Sequence, residues 1–166
     1  MNHILPRKCV LLTGGAGFIG ANLIRELIKL KYDVNLILKK SSGLWRIKDI
    51  LGKVKIYYVD LLDKNKLTKT VNKINPDFII HLATCSNYLN QADVRTMIDI
   101  NIKGTLNLLL AGKNVNYELL INTGSSSEYG IKEKPMKEND LLEPISFYAV
   151  TKASATLLCK AFALEY

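Results

Sequence analysis

Two stretches of this 166-residue sequence carry residue types that could do chemistry. In "SFYAVTKAS", Tyr148 and Lys152 stand four residues apart. Four residues is about one helical turn, so on a helix both side chains share a face. A free tyrosine hydroxyl titrates near pH ~10 and is a poor base at neutral pH, but a neighbouring ammonium favours the phenolate. Such a pair can exchange a proton with a hydroxyl or a carbonyl. A second hydroxyl that holds the reacting oxygen would complete the set, and "NTGSSSEYG" offers Ser125, Ser126 and Ser127.

The other stretch is "TGGAGFIG", which spaces Gly14, Gly17 and Gly20 as G-x-x-G-x-x-G. Glycine suits a tight strand-to-helix turn whose backbone must approach a pyrophosphate, and Phe18 and Ile19 then begin a helix whose free N–H groups and positive dipole face the phosphates. In the usual fingerprint a carboxylate about 20 residues on binds the adenosine ribose. Here the second apolar run ends in Lys39, Lys40, Ser41 and Ser42. Two cations and two hydroxyls in place of a carboxylate favour NADP(H) over NAD(H).

These residues need a scaffold, and Val/Ile/Leu-rich runs alternating with segments of helical period read as βαβ units on a parallel sheet. Expected strands are Lys8–Thr13, Asp33–Lys40, Lys53–Asp60, Asp77–Ala83 and Tyr117–Thr123. Expected helices are Gly17–Lys31, with Ile19, Leu23, Leu27 and Leu30 inward; Asp63–Asn75, stopped by Pro76; Asn90–Asn114, with Ile98, Ile102, Leu106 and Leu109 inward; and one from Phe147. "SSGLWRIKDILG" reads as a polar connection. The fold class is α/β, a Rossmann-type doubly wound parallel sheet, with residues 1–166 as one domain.

Composition narrows the function classes. The net charge is +8, but the lysines are scattered with no arginine-rich run or aromatic platform, so a solvated basic surface is expected rather than a nucleic-acid site. It would suit an anionic small substrate. No apolar run reaches the roughly 18 residues of a membrane span and no signal-peptide cleavage site follows the N-terminus, so a cytoplasmic location and no membrane partner are expected. Cys9, Cys85 and Cys159 fit neither a metal pattern nor a disulfide framework. Buried, reduced thiols and no metal are expected.

With "TGGAGFIG" before "YAVTK", the sequence resembles the extended short-chain dehydrogenase/reductases, the group of nucleotide-sugar epimerases, dehydratases and ketoreductases. The resemblance covers the whole chain. It implies that Asp60 in "VDLLD" bonds the adenine amino group and Leu61 lines its pocket. It also implies that Leu82, Ala83 and Thr84 of "HLAT" run under the cofactor, and that Asn101 in "NIKGT" supports the active site. His81 is expected to be a satisfied core histidine. Lys152 would also bond the nicotinamide ribose, and Ser125, four before Tyr129, falls at the catalytic hydroxyl position. With a one-residue gap Ser126 takes that role and Glu128 moves to the acidic position of the dehydratases.

Without the gap, Ser126 and Ser127 occupy the places of the 4,6-dehydratase acid/base pair, which disfavours elimination. The resemblance thus implies an epimerase or ketoreductase acting on a nucleotide-diphosphate sugar, the alternatives being a 4,6-dehydratase or a non-catalytic dinucleotide-binding remnant. Members of the group are about twice as long, and this chain stops inside the helix of Tyr148 and Lys152. The expectation is a fragment that lacks most of the substrate-binding portion, from a full-length enzyme that is a homodimer.

Overall fold

In the computed structural model, which describes residues 7–86 and 93–166, five parallel strands form one sheet in the order β3-β2-β1-β4-β5. They are β1 (Cys9–Thr13), β2 (Asp33–Leu38), β3 (Lys55–Tyr58), β4 (Phe78–His81) and β5 (Leu119–Asn122). Side chains alternate across a strand. On β1, Val10 and Leu12 join Leu36, Ile24 and Ile47 in one core, while Leu11 joins Ile37, Leu67, Val71, Ile79 and Leu108 in the other. Helix α1 (Phe18–Lys29) covers the first face, and α2 (Lys64–Ile74) and α4 (Gly104–Gly112) the second. This is the doubly wound arrangement.

The chain order reverses between β2-β1 and β1-β4, and in such sheets ligands bind past the carboxyl ends of the strands at that reversal. Register brings Thr13 opposite both Ile37 and His81, and His81 opposite Asn122. The segments leaving β1, β2, β4 and β5 therefore open into one space.

Several expected features are corrected. On α1, Ile19 and Leu30 are exposed, and the buried line is Gly20, Ala21, Ile24 and Leu27. The small residues face inward because the helix sits tight on the glycine turn: a Cβ on Gly20 would stand 2.5 Å from the Gly14 carbonyl oxygen and 2.6 Å from the Gly15 Cα. The "SSGLWRIKDILG" connection contains a 3₁₀ helix, Trp45–Lys53, that buries Ile47 and Ile50. Helix α2 is capped by the Asp63 side chain and ends at Asn75 in the left-handed region before Pro76.

The expected helix Asn90–Asn114 begins outside the described residues and then runs as α3 (Val94–Met97), a π-helical stretch Ile98–Lys103 and α4. Ile98 and Leu106 of the expected apolar stripe are exposed, while Met97, Asn101, Gly104, Thr105, Leu108 and Ala111 are buried. Polar Asn101 and Thr105 face inward because hydrogen-bond partners await them there. The last helix, α5 (Phe147–Glu165), starts on the Ser146 hydroxyl, which accepts from Ala149 N–H. The three cysteines are free as expected but only half-buried.

Replacing Gly20 by alanine forces that methyl into backbone atoms and should lower the urea unfolding free energy by about 1–3 kcal/mol. Gly52, whose Cβ would meet nothing within 4 Å, serves as the control, with Gly52→Ala within about 0.5 kcal/mol of the parent. Equal effects of the two substitutions would refute the tight seating of α1.

Candidate active site

A cleft of about 710 Å³ opens past the carboxyl ends of the strands. The glycine turn forms its floor with Gly14, Gly17, Phe18, Ile19 and Gly20; Lys39 enters after β2, Asp60 and Leu61 after β3, Leu82, Ala83 and Thr84 after β4, and Tyr148 and Lys152 from α5. The turn is a cradle that only glycine can make. Gly14 has φ +70°, and a Cβ there would meet the Leu82–Ala83 backbone at 2.6 Å. Gly17 donates its N–H to the Gly14 carbonyl at 3.0 Å, no side chain caps the start of α1, and its first turn carries no acidic residue. The open N–H groups and the dipole leave an anion site on the cleft floor.

Lys40 and Ser41, expected here, do not line the cleft. β2 ends at Leu38, and a turn closed by Ser42 N–H on the Lys39 carbonyl brings Ser42 back to the wall instead. The Lys39 ammonium lies 3.4 Å from the Asp60 carboxylate, both well exposed, so the pair adds little stability. Asp60 also accepts from the Leu62 N–H, whereas the cap of α2 is Asp63.

Asn101 lies behind the cleft wall rather than in it, and its side chain is fully used. Its Nδ2 donates to the Cys85 carbonyl (2.8 Å) and to Thr151 Oγ1 (2.9 Å); its Oδ1 accepts from Cys85 N–H (2.7 Å) and the Thr84 hydroxyl (3.1 Å). One buried amide thus ties the segment after β4 to α5, between Tyr148 and Lys152.

His81 is fixed by a second buried chain. Ala83 N–H bonds to Thr13 Oγ1, which lies 2.6 Å from His81 Nδ1; Nε2 lies 3.0 Å from Thr105 Oγ1, which donates to the Asn101 carbonyl. Because the Thr105 hydroxyl spends its proton on that carbonyl, Nε2 carries the hydrogen and Nδ1 accepts from Thr13. Burial, and next the Lys152 charge, lower the imidazole pKa to about 4.

Lys152 is itself only 6% exposed, and its ammonium donates to the Thr123 carbonyl at 2.5 Å. Burial pushes its pKa below the ordinary lysine value, while the Glu128 charge acts in the opposite sense. Tyr148 lines the cleft and also a second, largely apolar cavity of about 820 Å³ with Ser86, Met97, Pro144, Ile145, Phe147 and Val150.

Ser125 is not brought into the cleft. It caps the 3₁₀ turn Ser126–Tyr129, its hydroxyl lies 2.7 Å from Ser127 Oγ, and it lines a separate groove beside β5 and α5. Ser126 is exposed. Thr123 and Gly124 line the cleft at this point, a placement that follows from the register of His81 with Asn122 but that no motif announces. Thr13, Cys85 and Ile100 likewise reach the cleft.

The model of the NAD dependent epimerase/dehydratase family matches residues 10–166. The chain belongs to this family. Among curated proteins, the chain is 33% identical over 147 residues to a UDP-glucose 4-epimerase of Lactobacillus helveticus, covering 86% of this chain and 43% of that protein. It is 31% identical over 176 residues to a GDP-mannose 4,6 dehydratase of Cricetulus griseus, covering 97% and 47%. A crystal structure of a UDP-glucuronic acid 4-epimerase from Bacillus cereus, in complex with UDP-glucuronic acid and NAD, superposes with TM-score 0.80 at 29% identity, over 94% of this chain and 52% of that one. The chain spans about half the length of the curated relatives it matches. Among the described residues no helix is long and apolar enough to cross a membrane, and no cluster of three metal-ligating side chains occurs.

The low His81 pKa makes stability depend on pH. Between about pH 6.5 and 4 the unfolded imidazole takes up a proton that the native one refuses, so this contribution is complete above 6.5 and is lost as pH falls toward 4. Each unit is worth about 1.4 kcal/mol, giving roughly 3 kcal/mol across the window. Urea unfolding of the parent and of His81→Gln at pH 7, 5.5 and 4.5 should show a parent-specific decline over this range; parallel pH profiles would refute the neutral imidazole.

Proposed function

We propose that this chain forms the dinucleotide-binding and proton-transfer half of an NAD(P)-dependent nucleotide-sugar epimerase or ketoreductase. The observation that carries this reading is the position of Tyr148, one turn before Lys152, at the junction of the glycine-floored cleft and the second cavity. A dinucleotide fits the cleft. Its pyrophosphate would lie on the open N–H groups of α1, its adenine against Asp60 and Leu61, and its nicotinamide ribose near Lys152. The bound nicotinamide supplies hydride exchange at the sugar carbon.

The chain's own residues handle the proton. Tyr148 exchanges it with the sugar hydroxyl or carbonyl from the second cavity, one helical turn from the buried Lys152 ammonium. We assign the hydroxyl that binds the reacting oxygen to Ser125, a role that requires it to leave Ser127. Elimination is disfavoured because Ser126 and Ser127 stand where a dehydratase carries its acid/base pair. Glu128 is 3% exposed and bonds Ser125 N–H outside the cleft. The substrate class is a nucleoside-diphosphate sugar, as for the Bacillus cereus relative.

Lys39 and Ser42 on the cleft wall, with no carboxylate at the end of β2, support a preference for NADP(H). Fluorescence titration of the 166-residue chain should give a lower Kd for NADPH than for NADH, with the difference erased in Lys39→Ala. Tighter NADH refutes the preference, and no binding of either refutes the whole reading. Lys152→Met should weaken NADPH by about tenfold, the value of one charge-assisted hydrogen bond. The 166-residue chain is expected to turn over no UDP-, GDP-, CDP- or dTDP-sugar; turnover that disappears in Tyr148→Phe would instead show a site complete in these residues.

A further inference from the structure

Glu128 is a buried carboxylate that the proton-transfer scheme leaves unused. It is 3% exposed, in a short turn between β5 and a long loop. Its Oε1 accepts the Ser125 N–H at 2.7 Å and lies against Gly124, where a Cβ would come within 3.1 Å of it and 3.7 Å of Thr156 Oγ1. Thr156 follows Lys152 by one turn of α5, so the carboxylate sits over the helix face that carries the lysine. Its main chain is held as well: Glu128 N–H bonds the Ser125 carbonyl at 3.1 Å, and its carbonyl accepts from Glu143 N–H at 3.0 Å.

Among the described residues Glu128 and Lys152 make no direct ion pair. The three residues Thr123–Gly124–Ser125 run between them. The ammonium holds the Thr123 carbonyl oxygen at one end and the carboxylate holds the Ser125 N–H at the other. Each charge meets the end of the peptide segment with the complementary partial charge, and charge-assisted bonds of this kind are about twice as strong as neutral ones.

We propose that Glu128 is a positioning residue: with Lys152 it clamps the Thr123–Ser125 segment between opposite buried charges, and its carboxylate is the counter-charge that keeps the buried lysine an ammonium. The titratable groups coupled to Lys152 are the neutral His81 from β4, Cys159 from α5, and Glu128. Of these Glu128 is the carboxylate, and it leads the influences that oppose the effect of burial on the lysine. The clamp deepens the reading of Tyr148 and Lys152 as a proton-transfer pair, because that reading needs a charged lysine one helical turn from the tyrosine.

The test is Glu128→Gln, which keeps an oxygen acceptor for Ser125 N–H and removes only the charge. The pH dependence of lysine acylation, read by peptide mass mapping on the chain without cofactor or sugar, gives the Lys152 titration midpoint. It should fall by about one unit in the variant, while the exposed Lys64 and Lys69 titrate as before. An unchanged Lys152 midpoint, even in a variant that melts lower, overturns the proposal. If Glu128→Gln does not fold, the E128Q/K152M double variant should fold, since removing the ammonium removes the need for the carboxylate; a double variant as unfolded as the single overturns it. NADPH titration of the same samples separates the two readings, because Lys152 titrates whether or not a dinucleotide binds.

Discussion

The buried amide of Asn101 joins three pieces of chain. From the π-helical stretch it bonds Thr84 and Cys85 in the segment after β4 and Thr151 in the first turns of α5. In an apolar interior each of those groups would cost about 1–3 kcal/mol if left unpaired, so the arrangement is specified by hydrogen-bond satisfaction more than by apolar contact. Asn101 and Thr105, four residues apart, share the inward face on successive turns, and π-helical turns of this kind are frequent at functional sites.

The neutral His81 chain extends that network across the sheet, from Thr13 on β1 to the Asn101 main chain. A charged imidazole would break it. The same region buries Lys152, so the site places a cation beside a histidine that must stay neutral. Burial and the lysine charge act on His81 in one direction, whereas burial and the Glu128 charge act on Lys152 in opposite directions. The asymmetry assigns one group to structure and the other to charge chemistry. It costs stability, and the surrounding hydrogen bonds offset that cost.

What was legible in the sequence was local. Gly14, Gly17 and Gly20 announce a turn because their spacing answers a steric demand of backbone on backbone, and Tyr148 and Lys152 announce a shared face because helix period alone puts them there. Asp60, Leu61 and the Leu82–Thr84 segment were placed by the family resemblance of "VDLLD" and "HLAT", each behind a strand that an apolar run identifies. The misreadings have a common physical origin. The stripes assigned to α1 and to the helix of Asn101 assumed that apolar residues face inward, but Gly20 and Gly104 face inward for close approach and Asn101 and Thr105 for hydrogen bonding, leaving Ile19, Leu30, Ile98 and Leu106 outside. Ser125 was placed by alignment to Tyr129, and that cannot reveal a hydroxyl diverted into capping a 3₁₀ turn. The Trp45–Lys53 helix was missed because only Ile47 and Ile50 are buried in it, too few for a period.

In the proposed reaction Tyr148 and Lys152 move the proton but do not set the outcome. On the proposed reading a ketoreduction adds hydride to the sugar carbonyl while Tyr148 gives its oxygen a proton, whereas an epimerisation first runs that exchange in reverse, oxidising the carbinol, and then forward on the opposite face of the same carbon. That choice belongs to whatever lets the sugar turn, so it must lie in the walls of the second cavity. Pro144, Ile145 and Phe147 form part of those walls, with Ile145 and Phe147 70% and 65% exposed. These side chains hold little contact of their own, which allows them to vary without disturbing the Asn101 and His81 networks behind Tyr148.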